Sequence, residues 1–93
     1  MTKIRNQYIY KLIGQIHSKK PRKKAQYQQY FWQLNVNLTN KPEIKKIFAF
    51  KDKLSLPTWQ AIEQNAFLGK SYCFSCRNYQ GSYYLINWEE IKE

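Results

Sequence analysis

A small, mainly β domain with one short helix is the fold this sequence predicts. Three observations carry it: runs of β-branched and aromatic residues that alternate in polarity, glycines confined to three positions, and a single proline-led amphipathic stretch near the middle. At 93 residues there is room for one core. A chain of this size buries only about 60–65% of the surface its unfolded state exposes, which excludes a large multi-step enzyme with its own walled chamber.

The elements follow in order. Tyr8 to Ile16 is a strand, and Gly14 inside it marks a bend or bulge. The basic run Lys19-Lys20-Pro21-Arg22-Lys23-Lys24 then reads as a mobile loop over residues 17–27, because proline disfavours regular structure and adjacent cations repel. From Tyr27 to Leu38 a second strand alternates, with Tyr30, Trp32, Leu34, Val36 and Leu38 on the core side and Phe31, Gln33, Asn35 and Asn37 opposite. Thr39 to Pro42 is a turn by composition. Ile44 to Lys51 is a third strand, with Ile47 and Ala49 on one face and Lys46, Phe48 and Phe50 on the other. Leu56 to Asn65 is the helix, its apolar stripe formed by Trp59, Ile62 and Ala66. After Gly69, Ser71 to Tyr79 and Ser82 to Trp88 pair as a hairpin around Gln80-Gly81. Five strands with a helix between the third and fourth, a bent first strand and a long first loop describe an OB-fold, a partly open five-stranded Greek-key barrel filling residues 1–93 as one domain. A small α+β sandwich is the alternative.

Charge is distributed unevenly. The net charge is +10, and residues 1–42 hold nine of the basic residues and none of the acids. A one-sided positive potential of this kind suits a polyanion, with nucleic acid ahead of an anionic membrane surface. No apolar run is long enough to span a membrane and no signal peptide is visible, so an intracellular, soluble protein is expected. The basic run is read as contacting phosphates; a solvated loop and an address signal are the alternatives.

Few residues suit catalysis or metal binding. His17 is the single histidine, and no carboxylate pair or phosphate-cradling glycine loop accompanies it, so no enzyme activity and no cofactor are expected. Cys73-Phe-Ser-Cys76 offers two thiols where a structural zinc site needs four ligands, and strand alternation points them to opposite faces. The reading is one cysteine inside and one outside. Trp32, Trp59 and Trp88 are assigned to packing.

Binding a single strand requires cations for phosphates and exposed aromatic faces for bases. The candidates for nucleic-acid contact are Lys19, Lys20, Arg22, Lys23 and Lys24 in the basic run, Phe31, Lys46, Phe48 and Phe50 on the second and third strands, and Arg77, Tyr79 and Tyr83 around the last hairpin. For Phe48 and Phe50, core or interface packing is an equal alternative. Arg77 falls on the strand side of Cys73 and Ser75 and points outward, either to phosphate or to water.

Several segments resemble one family. Leu12-Ile13-Gly14-Gln15-Ile16 resembles the first-strand signature of bacterial-type single-stranded DNA-binding proteins. Trp32-Gln33-Leu34-Asn35-Val36 is similar to that family's second strand, Ile47-Phe48-Ala49-Phe50-Lys51 to its aromatic third strand, and Leu68-Gly69-Lys70-Ser71-Tyr72 to its helix exit. The resemblance implies an OB-fold, sequence-tolerant binding of single strands with DNA ahead of RNA, and a place in DNA replication. Within that family the Lys-, Asn-, Gln-, Ile- and Tyr-rich composition resembles a small plastid-encoded algal reading frame, which implies a plastid location. Departures are visible too. Lys51-Asp52-Lys53 is one residue longer than the family's turn, Ile44 stands where an aromatic is expected, and Glu89, Glu90 and Glu93 are all there is of an acidic tip. Recruitment of partners through a tail, and tetramerisation by analogy, are therefore not expected, although the aromatic surplus would suit a homo-oligomer. The competing reading is a small structural subunit of a larger nucleoprotein complex, docking partners through the aromatic face and basic loop.

Overall fold

In the computed structural model, residues 8–23 and 30–92 are described. The elements are β1 (Tyr10–Arg22), β2 (Phe31–Leu38), β3 (Lys46–Ala49), a 3-10 turn (Lys51–Lys53), α1 (Leu56–Glu63), β4 (Ser71–Tyr79) and β5 (Ser82–Ile91). They form a closed barrel in the order β1-β2-β3-β5-β4. This is an OB-type barrel, with its helix between the third and fourth strands as expected. All neighbours are antiparallel except β3 and β5, which are parallel and meet at a single register pair, Phe48 with Tyr84. The seam expected to be partly open is therefore closed, but only just. No helix among the described residues is long and apolar enough to cross a membrane.

β1 is long because it serves two neighbours. Tyr10 to Gly14 pairs with β4, and Gly14 to Arg22 pairs with β2. Gly14 belongs to both, and a Cβ there would lie 2.0 Å from the Asn37 carbonyl oxygen and 2.7 Å from the Leu38 Cα, so only glycine fits. Asn40 completes the junction. Its side-chain oxygen accepts from the Ile13 N–H at 2.9 Å and its amide donates to the Lys11 carbonyl at 2.8 Å, satisfying β1 where β2 has ended.

The basic run departs from expectation. Residues 17–22, read as loop, continue β1, and Ser18 to Arg22 pair with Asn35 to Phe31. Pro21 is accommodated because this half of β1 has β2 on one side and no β4 pairing on the other, and a residue without an N–H is tolerated at such an edge. Lys23 lies just past the strand, and the remainder of the expected loop, Lys24 to Tyr27, lies outside the described residues. β2 spans Phe31–Leu38, with Tyr30 ahead of it outside the strand and the expected start at Tyr27 outside the described residues; β3 spans only Lys46–Ala49, while Ile44 still packs partly against the core.

The core sits inside the barrel, built from the inward positions of every strand: Leu12, Leu34, Ile47, Phe74 and Leu85 are essentially inaccessible. α1 plugs one end. Ser55 caps it by accepting from the Thr58 N–H at 3.4 Å, and Trp59 and Ile62 face inward. The helix ends at Glu63, so Ala66 falls in the following turn and is exposed; Phe67 takes the buried place instead. The final hairpin turns at Gln80 (φ 53) and Gly81 (φ 87), both left-handed as a tight two-residue turn requires. Trp59 is buried, and Trp32 and Trp88 are half-buried against the core, in line with their assignment to packing. Cys76 is buried and Cys73 half-buried on the other side of β4, as alternation predicts.

Candidate nucleic-acid interface

The outer surface of β2, β3 and β5 carries an aromatic cluster. On β2 and β3 the alternation is regular, so Phe31, Gln33 and Asn35 share the outward side with Lys46, Phe48 and Phe50. Phe31 and Phe50 stack at 4.3 Å with planes 12° apart, and Phe48 meets Phe31 edge-on at 6.0 Å. Tyr84 of β5 completes the group, 5.8 Å from Phe48 and 5.6 Å from Phe50. Phe31 is only 5% exposed because its neighbours cover it, leaving Phe48, Phe50 and Tyr84 as the half-exposed rings.

Cations flank this cluster. Register pairs run across the sheet from Lys20 to Gln33, Gln33 to Phe48, Phe48 to Tyr84 and Tyr84 to Arg77. One band across five strands thus begins and ends on an exposed cation. Arg22 pairs with Phe31, and Lys46 with Asn35, adding a charge on either side of that band. None of the six acids lies in β1, β2 or β3. The ion pair between Lys70 and Glu90, at 4.0 Å, sits at the far end of β4 from Arg77.

A bulge decides which cations face outward. Between Ile16 and Ser18 the β1–β2 register shifts, leaving His17 as an extra residue. Without it, Ser18, Lys20 and Arg22 would share the inward side of Ile16; with it, they turn outward and Lys19 turns inward. Lys19 Nζ donates to the carbonyls of Ile62 and Glu63 at 2.7 and 2.8 Å and lies 4.1 Å from the centre of the Trp32 ring. It caps the C-terminus of α1. Desolvation holds its pKa below the ordinary value, opposed by the Glu63 carboxylate. Beside it, Tyr30 donates a hydrogen bond to Glu63, which raises the phenol's pKa.

The sequence-predicted residues therefore separate. Lys20, Arg22, Phe31, Lys46, Phe48, Phe50 and Arg77 come together on one face. Tyr79, 64% exposed, stands at the hairpin tip on the Arg77 side of β4, and exposed Lys23 follows Arg22. Lys24 lies outside the described residues. Two candidates are corrected: Lys19 is a helix cap, and Tyr83 turns inward, packing on the core and edge-on against Tyr10 at 5.3 Å. Tyr84 was missed, though the signal was present, since Leu85 is apolar and Tyr83 lies two residues before it on its side of the strand.

No protein family, curated protein or solved structure matches this chain. Half-exposed rings between exposed cations suit a ligand with flat apolar faces joined by anionic links.

Gln33 and Asn35 lie among the rings as an ordered amide chain. Arg22 Nη1 donates to Gln33 Oε1 at 2.5 Å, Gln33 Nε2 to Asn35 Oδ1 at 2.9 Å, and Asn35 Nδ2 to Ser18 Oγ at 2.9 Å.

Proposed function

We propose that this protein binds single-stranded nucleic acid across the outer face of β2, β3 and β5, with DNA ahead of RNA. The carrying observation is the cluster of Phe31, Phe48, Phe50 and Tyr84 with Lys20, Arg22, Lys46 and Arg77 around it. Phosphates meet the cations and release counterions, while bases stack on the exposed rings; both contributions act on any sequence. Paired bases cannot present their faces to the rings, so duplex is the poorer ligand. Two of the strands involved, β2 and β3, are those through which OB barrels take oligonucleotides, an analogy of fold that supports the reading. Replication in a plastid is the setting proposed with it, and rests on the resemblance and composition alone.

The test is fluorescence anisotropy with labelled single-stranded and duplex DNA and RNA at low and near-physiological salt. Tight, salt-sensitive binding to single strands over duplex is expected. Phe48→Ala and Phe50→Ala should each weaken it by about 1–3 kcal/mol while the barrel stays folded, because both rings lie outside the core. Equal weak binding to every polyanion would overturn the reading in favour of an assembly subunit whose aromatic face packs on protein.

A further inference from the structure

Stacking and phosphate contacts are indifferent to base identity, but the amide chain beside them is not. Arg22 can only donate, so the Gln33 oxygen must face it. The Gln33 amine must then face Asn35, whose oxygen receives it, and the Asn35 amine is left to face Ser18. A donor-only guanidinium at one end thus dictates the direction of both amides, and neither can flip without breaking the chain. Each amide spends one N–H and one oxygen lone pair on it and keeps one of each. Gln33 is half-buried between Phe31, two residues before it on the same side, and Phe48, its partner across the strands. A base stacked on Phe48 would bring its edge to this amide.

We propose that Gln33, held in direction by Arg22 and Asn35, reads the base edge and gives the single-strand site a preference for adenine. An amide with one free donor and one free acceptor matches an exocyclic amine next to a ring nitrogen. Adenine presents that pair on two edges, through N6 with N1 and N6 with N7. Cytosine presents it on one, through N4 with N3, guanine on one, through N2 with N3, and thymine has no amine. This inference rests on the nucleic-acid reading of the same face, so the experiment separates the two.

Anisotropy is measured on short oligonucleotides of dA, of dT, and of the unsubstituted purine deoxynucleoside, which keeps the stacking surface of adenine but lacks its amine. The wild-type protein is expected to bind dA about tenfold tighter than the purine oligonucleotide, the low end of discrimination by a two-bond amide contact. Gln33→Leu should bring dA to the purine level without changing the salt dependence or the melting temperature. If dA and purine bind the wild type equally, or the difference survives in Gln33→Leu, the inference is overturned while single-strand binding stands. If no oligonucleotide binds, both fall. The dA-to-purine comparison in the wild type decides the matter even if Gln33→Leu folds poorly.

Discussion

Lys19 and Lys20 are neighbours with different surroundings. Lys19 closes the end of α1 and covers Trp32, whereas Lys20 stands on the outer face at the end of the aromatic band. Lys19→Met should therefore cost about 1–2 kcal/mol of stability, from a helix-terminus contact and a cation–π contact, and lower the melting temperature. Lys20→Met should leave melting unchanged and weaken oligonucleotide binding at low salt. Equal behaviour of the two variants would refute the separation. Cys76 allows a second test. Burial pushes its thiol up to about 12 from an ordinary 9.0, with nearby Cys73 adding to the shift. The unfolded chain loses this proton first, so the thiol's contribution is whole below about pH 9 and declines as pH rises towards 12, by about 1.4 kcal/mol per pH unit. Burial raises Tyr72 as well, which acts in the same direction. Denaturant midpoints should fall across that window, and Cys76→Ala should flatten the fall even though the cavity lowers stability throughout.

At the scale of elements, β1 carries most of what was hard to read. Its pairing passes from β4 to β2 at Gly14, and the atoms a side chain would strike there are backbone, which cannot swing aside. Gly14→Ala should cost at least about 3 kcal/mol, measured by denaturant unfolding; a variant as stable as the parent would rule out the close approach. Gly14 marked a special place in β1 whose cause, the close approach of β2, is tertiary; the helix start at Leu56-Pro57 and the hairpin at Gln80-Gly81 were legible, because each depends on a local backbone demand that few residues meet. The outer half of β1 was not. Pro21 and the three cations Lys19, Lys20 and Arg22 are poor local strand formers, and they are held extended by β2 alongside. β5 hides a similar feature: the register shift opposite Ser75 and Cys76 leaves Ile86 extra, so Leu85 and Trp88 both reach the core although alternation would separate them.

For the whole molecule, the +10 charge can serve the proposed binding only where the barrel gathers it. Lys20 and Arg22 come from β1, Lys46 from β3 and Arg77 from β4. If all four meet phosphates, the logarithm of affinity should fall against the logarithm of salt with a slope of about −3, at about 0.7 per contact on a single strand. Lys20→Gln with Lys46→Gln should halve that slope, and a slope unaffected by the pair would move the contacts elsewhere. From the sequence alone came the number and order of elements, the turns, the inner and outer sides of β2 and β3, and the sign of the protein's own charge, since all of these follow from local periodicity and composition. The tertiary structure decided which lysine caps a helix and which faces outward, which of Tyr83 and Tyr84 joins the aromatic cluster, and that an amide chain runs beside it. One extra residue in β1 exchanges the two sides of the strand that follows, and whether it bulges depends on pairing with a strand more than ten residues away.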